Sequence, residues 1–144
     1  MASDDDITQK CVDDIVAKIK LVPSVQKQTF VVYSEDDMLD QTKGIHRPCI
    51  GVMYEGVHSV PDAPNQGMTC DLTVAIAVVE ESKAIGNLDR KKAIIALLKD
   101  IRAKIRMSKA PSQHTWRFVA EAPAIPMGNA VIYIQRWVVR VILT

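Results

Sequence analysis

The sequence has few aromatic residues, and it lacks the short motifs that mark common catalytic and nucleotide-binding sites. Aromatic side chains make up 5% of the 144 residues. There is no GxxxxGKS/T loop to hold a phosphate, no GxGxxG turn after a strand, no GxSxG nucleophile elbow and no HExxH metal motif. No nucleophile, base and orienting group can be named together. We therefore predict that the protein is not an enzyme and that it uses no cofactor.

Long hydrophobic runs are also missing. No window reaches the roughly 18–20 apolar residues that span a bilayer, and the acidic segment 1–10 has no apolar core of the kind found in secretory signals. The chain is nevertheless 48% hydrophobic with a net charge of +1, which is enough for a sizeable core. We expect one soluble domain over residues 1–144, with no membrane partner.

Cysteine is scarce as well. Cys11, Cys49 and Cys70 form no CxxC pair and no even framework. We expect reduced thiols that pack as small hydrophobic side chains in a protein made in the cytosol. Cys49 and Cys70 could be combined with His46 and His58 as a zinc set, but their spacings match no known zinc motif. The sequence therefore predicts no metal site.

The strongest strand signal is the segment 131–143, which is rich in β-branched residues and contains no Gly or Pro. Alternate residues fall on opposite faces of a strand. Both faces of this segment are mostly apolar, which predicts a central strand. Arg136 and Arg140 share one of these faces. Each must reach water, a carboxylate from the acidic first part of the chain, or a neighbouring subunit.

Helical spacing of apolar residues occurs in two segments. It predicts a first helix that Pro23 ends near residue 21, and a second helix from Asn87 or Asp89 to about Ile105, with a basic exposed face. Strands are predicted at 30–33, 49–57, 72–80, 115–121 and 131–143. The order α-β-β-β-α-β-β predicts an α+β fold. In this fold a mixed or antiparallel sheet of about five strands carries both helices on one face.

The strand patterns also assign side chains to faces of the sheet. In the third strand the small residues Ala75 and Ala77 share a face, and we expect a helix to lie close against it. In the fourth strand, alternation places Trp116, Phe118 and Ala120 on one side. The stiff connector at 123–129 ends in turn residues, and its length favours antiparallel pairing of the last two strands.

Charge is unevenly distributed along the chain. Residues 1–82 carry 6 Lys and Arg against 14 Asp and Glu, and residues 83–144 carry 12 against 3. Either the two parts form surfaces of opposite sign, or they interleave in the fold and neutralise each other locally. If subunits pack head to tail, surfaces of opposite sign can meet across each boundary and close a ring.

Candidate contact residues follow from this charge pattern and from two polar segments. The segment 34–48 is acidic, and the segment 58–68 is an extended excursion with two prolines and a glycine. Carboxylates like those of 34–48 can bind divalent metal, but a solvated loop explains them more simply. The candidate residues for contacts with other subunits or partners are Arg102, Arg106, Arg136, Arg140, Glu35, Asp36, Asp37, His58, Asp62 and Asn65.

The basic second helix raises nucleic-acid binding as an alternative. Phosphate binding needs clustered Lys and Arg, and sequence-tolerant binding of single strands adds exposed aromatic side chains. Apart from Tyr54, Trp116 and Tyr133, the aromatic residues do not interleave with basic ones in a way that suggests a stacking platform, and Trp137 beside Arg136 is the nearest case. A solvated basic face is the simpler interpretation, and nucleic-acid binding stays open.

Six stretches of the chain occur in the order found in a known family. They are ITQKCVDDIVAKI, PCIGVMYEGV, LTVAIAVV, KKAIIALLKDIRAKI, WRFVAEAPAI and IYIQRWVVRVIL. Together they cover almost the whole chain, which resembles the Mu-like tail proteins of contractile-tailed phages, the tail-terminator or tail-completion group. The most specific piece is RFVAEAP, a strand and turn that lead into the long apolar last strand.

The resemblance implies a non-enzymatic virion protein with a mixed sheet flanked by helices. Such proteins form a hexameric ring on the last layer of the tail tube, stop polymerisation of tube and sheath, and join the tail to the head connector. The implied partners are copies of the chain itself, the tail tube protein, the sheath protein and the connector or neck proteins. Nucleic acid is implied only as the genome passing through the ring lumen. The implied location is the tail or neck of the virion, after assembly in the host cytoplasm. Another neck or head-closure component is the nearest alternative, and no binding residues are carried over from the family.

Overall fold

The sheet and its two helices are seen in a computed structural model that describes residues 4–23, 29–32, 48–60, 68–81, 88–124 and 130–143. In chain order the elements are α1 (Asp4–Ile19), β1 (Thr29–Val32), β2 (Cys49–Ser59), β3 (Met68–Glu81), α2 (Leu88–Ile105), β4 (Arg117–Pro123) and β5 (Ala130–Leu143). The five strands form one sheet in the order β1-β2-β3-β5-β4. β1 is parallel to β2, and all other neighbours are antiparallel. The predicted α+β fold and the predicted order of elements are confirmed.

β5 lies inside the sheet, between β3 and β4. It pairs with β3 along its whole length, from Ala130 opposite Glu81 to Leu143 opposite Met68. Trp137 is buried on the face that the helices cover, and Ile134 is buried on the opposite face. Because both faces are buried over much of its length, the prediction of a central strand is confirmed.

Both helices pack on one face of the sheet, as predicted, but it is not the predicted face. They contact the larger apolar side chains of β3, and Ala75 and Ala77 lie on the other side. The helix-covered cluster includes Cys11, Ile15, Ile19, Ile94, Leu98, Ile101, Ile105, Leu72, Val74, Ile76 and Val78. Large apolar side chains bury more area against a helix than alanine does. Burial area, rather than closeness of approach, therefore decides which face the helices occupy.

β2 and β3 are longer than the sequence predicted. They were expected to end at residue 57 and to begin at residue 72, but they run on to Ser59 and start at Met68. His58 therefore lies within β2 and not in the excursion between strands that the sequence predicted. A bulge beside Gly56, whose φ is 102°, takes up an extra residue so that pairing continues beyond it. Glycine adopts this backbone conformation without the steric cost that other residues meet.

β4 is an edge strand whose predicted alternation is broken by a second irregularity. Phe118 lies opposite Trp137 and Ala120 lies opposite Arg136, with a register shift between the two pairs. Phe118 and Ala120 therefore do not share a face, contrary to the prediction, because the extra residue turns the strand over. The antiparallel pairing of β4 with β5 is confirmed. Every residue of β4 except Glu121 is exposed.

The turn between α2 and β4 is tied to α1. Trp116 is buried and donates its indole N–H to Asp14 Oδ2 at 2.9 Å. Lys18 Nζ donates to the carbonyl oxygen of Lys109 at 3.1 Å, and Lys109 forms an antiparallel bridge with Thr115. These contacts fix the point at which β4 begins and therefore its position beside α2.

Candidate functional site

The sheet face opposite the helices is apolar at one end and charged at the other. We call the second part the charged end, which consists of Glu55, Asp71, Arg117, Arg136 and Arg140. Arg136 contacts Glu55 through two bonds, Nε to Oε1 at 2.9 Å and Nη2 to Oε2 at 3.3 Å. Asp71 Oδ1 lies 3.0 Å from Arg117 Nη2 and 3.5 Å from Arg140 Nε. Four strands thus contribute to one layer of ion pairs.

These pairs decide between the two arrangements of charge that the sequence left open for this part of the sheet. Glu55 and Asp71 come from the acidic part of the chain and the three arginines from the basic part, so the two parts interleave and neutralise each other locally. Arg136 has its own carboxylate in Glu55, whereas Arg140 shares Asp71 with Arg117, so three arginines are matched by two carboxylates at the charged end. Their side chains remain 39% and 41% exposed, and their role as contact residues stays a prediction.

A cleft of about 320 Å³ opens beside the charged end and is lined by His114, Thr115, Arg117 and Arg140. Two guanidinium groups there share a single carboxylate oxygen of Asp71. Arg140 Nε is buried and makes no hydrogen bond, because its 3.5 Å approach to Asp71 is an ion pair without hydrogen-bond geometry. Donors therefore outnumber acceptors, which suits a small anion or a carboxylate side chain.

A second cleft, of about 410 Å³, lies between α2 and the edge strand β4. We call it the basic groove. Its lining residues are Lys99, Arg102, Ala103, Arg106, Phe118 and Trp137. The four helical residues recur at spacings of one, three and four, which places them on one side of α2. The Phe118 ring is 48% exposed and meets the buried Trp137 ring edge to face, with 5.4 Å between centroids.

A buried hydrogen-bond network supports the floor of the basic groove. Gln135 is fully buried. Its Nε2 donates to Glu121 Oε1 at 2.8 Å and to the Leu98 carbonyl oxygen at 3.3 Å, and its Oε1 accepts from Trp137 Nε1 at 2.6 Å. Glu121 also accepts a hydrogen bond from Arg102. The network therefore holds both Trp137 and Arg102 in place.

The cations of the basic groove differ in how far they are neutralised. Arg102 is paired with Glu121. None of the ion pairs formed within the described ranges includes Lys99 or Arg106. The only polar contact found there for the Arg106 side chain is a long one, 3.9 Å, to the sulfur of Met107. Two positive charges of the groove are thus left for solvent or for a ligand.

The predicted contact residues do not form one site. Arg102 and Arg106 line the basic groove, Arg136 and Arg140 lie on the other face of the sheet, and His58 is exposed in β2. The remaining candidates lie outside the described residues: Glu35, Asp36, Asp37, Asp62 and Asn65.

Several residues of these surfaces were not identified from the sequence. They include Glu55, Asp71, Arg117, Phe118, Glu121 and Gln135. The position of Gln135, a polar residue inside an apolar strand face, was a signal that could have been used, because a buried amide needs partners. Arg117, Phe118 and Glu121 carried no comparable signal, since their roles depend on the irregular register of β4.

The thiols are arranged as structural side chains and not as ligands or nucleophiles. All three cysteines are free and buried, which confirms that they pack as small hydrophobic side chains. Cys49 and Cys70 lie on opposite faces of the sheet, so they cannot hold one ion together. Burial, with a smaller effect of the Asp14 carboxylate, raises the pKa of Cys11 to about 11. A thiol with such a pKa is almost fully protonated at neutral pH and is a poor nucleophile.

The described part of the chain offers neither a metal site nor a membrane-spanning helix. No group of three or more His, Cys, Asp or Glu residues there is placed to hold a metal ion. Neither of the two helices described is long and apolar enough to cross a membrane.

Comparison with known proteins gives a likeness of fold. No model of a protein family matches the sequence, and no curated protein matches it either. Solved structures do match. In one of them, described as "Virion of native gene transfer agent (GTA) particle", a chain matches with a TM-score of 0.53 and 11% sequence identity. The match covers 93% of this chain and 93% of that chain. At this identity the likeness concerns the fold alone, but it extends over nearly the whole of both chains.

Proposed function

We propose that this protein is a structural, non-enzymatic virion protein of a phage-like particle. In this proposal it forms a ring that caps the tail tube, ends tail polymerisation and joins the tail to the head connector. The observation that carries the proposal is the likeness of fold, over 93% of both chains, to a chain of a gene transfer agent virion. The resemblance of the sequence to the tail-terminator group supports the same role and supplies its finer details.

The surfaces described above suit a protein that acts through contacts. The edge strand β4 is exposed along most of its length, and the basic groove beside it leaves Lys99 and Arg106 without a carboxylate partner among the described residues. Open strand edges and uncompensated charges are features that assembly with other subunits can cover. The three buried thiols, in contrast, are not placed for chemistry.

The test is assembly of the purified chain with and without tail tubes. We expect a hexamer in analytical ultracentrifugation, either alone or after addition of tube ends, and tubes that no longer elongate. Electron cryo-microscopy of the particle should then place the ring on the last tube layer. A chain that stays monomeric and fails to cap tubes would contradict the proposal. Density in a different layer of the neck would instead favour a head-closure component.

Nucleic-acid binding remains the second candidate, because the fold places the exposed Phe118 ring beside the basic face of α2. A stacking side chain next to unpaired cations is the combination that proteins binding single strands use. Replacing Lys99 and Arg106 by Glu leaves the Arg102 pair with Glu121 intact. If this candidate is right, the double variant loses a salt-dependent gel shift with single-stranded DNA, and unchanged binding rejects it.

A further inference from the structure

We propose that the basic groove binds the acidic segment 34–40 of a second copy of this chain. The inference rests on the proposed function, since it assigns the contact between neighbouring subunits of the ring. The site is described by the structure, and its occupant is identified by the chemistry of its sequence, SEDDMLD.

The first argument is chemical complementarity. Lys99 and Arg106 have no carboxylate partner among the residues that the structure describes, and Phe118 adds an exposed aromatic side chain to the same groove. The segment 34–40 offers four carboxylates together with the apolar pair Met38 and Leu39. Carboxylates can satisfy the cations, and an apolar side chain can cover the ring.

The second argument is the position of the two surfaces in the sheet. The segment follows β1, at one edge, and the groove lies beside β4, at the other edge. Four strand spacings, or about 19 Å, separate these edges. A copy placed edge to edge sets its β4 side, and with it the basic groove, against the β1 side of its neighbour, from which the segment continues.

The third argument is the exposed edge itself. Phe118 and Val119, in the edge strand β4, are 48% and 53% exposed. Natural proteins usually protect an apolar strand edge, because an uncovered one pairs with other chains. An extended segment of a neighbouring subunit can cover such an edge by adding to it as a further strand. A contact between the β1 side of one copy and the β4 side of the next is heterologous, and repeated contacts of this kind close into rings.

The experiment is a charge swap between two full-length variants. The groove variant carries Lys99→Glu and Arg106→Glu, and the segment variant carries Glu35→Lys, Asp36→Lys and Asp37→Lys. Each variant alone places like charges on both sides of every boundary. We expect association of each to weaken by roughly a hundredfold relative to the wild type, as measured by mass photometry. The wild-type assembly should also weaken with rising salt, since exposed charges are screened.

The equimolar mixture of the two variants is the decisive sample. The positive segment of one variant then meets the negative groove of the other, and the remaining native segment meets the remaining native groove. We expect assembly to return, with the two variants alternating and therefore with even numbers of subunits. If the groove variant assembles like the wild type, or if the mixture stays unassembled while circular dichroism shows both variants folded, the proposal is overturned.

A matched control separates the groove from net charge. Lys92 and Lys104 are exposed on the same helix and do not line the groove. The variant with Lys92→Glu and Lys104→Glu has the same change in total charge and should assemble like the wild type. Loss of assembly in this control as well would mean that overall charge, and not the groove, drives association, which counts against the proposal.

The outcome for this contact is distinguishable from the outcome for the proposed function. If wild-type rings form and cap tubes while the groove variant does the same, the contact is wrong and the function stands. If the wild type neither assembles nor caps tubes, the function fails, and a labelled SEDDMLD peptide then tests the groove directly. Binding to the wild type that drops at least tenfold in the groove variant supports the site. No binding, equal binding, or binding of single-stranded DNA in place of the peptide overturns it.

Discussion

The replacement Gln135→Leu tests whether the buried network beneath the basic groove holds the sheet and α2 together. Gln135 is fully buried, and it connects Glu121, the Leu98 carbonyl and the indole of Trp137. Leucine has a similar volume but no polar group. The change therefore removes the three hydrogen bonds with little change in packing, and its cost reports on the network rather than on a cavity.

The expected cost follows from what each partner loses. Trp137 is 2% exposed, so its N–H is left without an acceptor, at about 1–3 kcal/mol. Glu121 keeps its bond to Arg102 and partial contact with water, so it loses less. The Leu98 carbonyl keeps its helical hydrogen bond. We expect the free energy of unfolding to fall by about 2–4 kcal/mol, which corresponds to a drop in Tm of roughly 5–12 °C for a chain of this size.

Urea denaturation followed by circular dichroism measures this difference. The change Gln9→Leu is a matched control, because Gln9 bonds Asp13 on an exposed helix surface and its loss should cost less than about 0.5 kcal/mol. In a Trp137→Phe background no indole N–H remains, so Gln135→Leu should cost about 1 kcal/mol there. If Gln135→Leu costs no more than the control, or the same in both backgrounds, the reasoning about the network is refuted.

Two further predictions concern other buried or strained positions. In the folded protein, ionisation alone should make Cys11 react with iodoacetamide at pH 8 about a hundredfold more slowly than an ordinary thiol, because its pKa is raised from 9.0 to about 11. Peptide mapping should show fast labelling after unfolding, and fast labelling of the native protein would contradict the prediction. The change Gly56→Ala should lower the free energy of unfolding by about 1–3 kcal/mol. This cost comes from the backbone alone, because φ is 102° and the added Cβ meets no atom within 4 Å. An unchanged urea midpoint would show that the bulge relaxes without cost.

The elements that the sequence predicted well are those in which one regular pattern runs without interruption. The apolar character of both faces of β5 predicted a central strand, and the helical spacing of α2 predicted its end near Ile105. Errors occurred where the backbone departs from regularity. The prediction missed the last two residues of β2, which lie beyond the bulge beside Gly56, and the irregularity after Phe118 reversed the faces of β4. Alternation cannot indicate a bulge, because a bulge inserts one residue without changing composition.

The candidate sites were harder to predict, because their geometry depends on strand register. Nothing in the sequence near Arg136 or Arg140 indicates that Glu55 and Asp71 lie opposite them, since these partners are brought there by pairing over long sequence separations. The sequence correctly marked the two arginines as unusual in an apolar strand. Whether their partners lie within the chain or in another subunit could be decided only from the pairing of the strands. Phe118 gained its place in the basic groove in the same way.

The position of β5 at the centre of the sheet also affects how the chain is made. β3 leaves the ribosome about fifty residues before β5 does, and at ordinary rates of translation this interval lasts several seconds. During that time the edge of β3 that later pairs with β5 is unpaired, and the β2–β3 hairpin exposes apolar surface on both faces. Pairing at this sequence separation is also slow. The nascent protein should therefore depend on chaperones and on low temperature for its yield, and any truncation that removes β5 should leave an insoluble fragment rather than a smaller folded one.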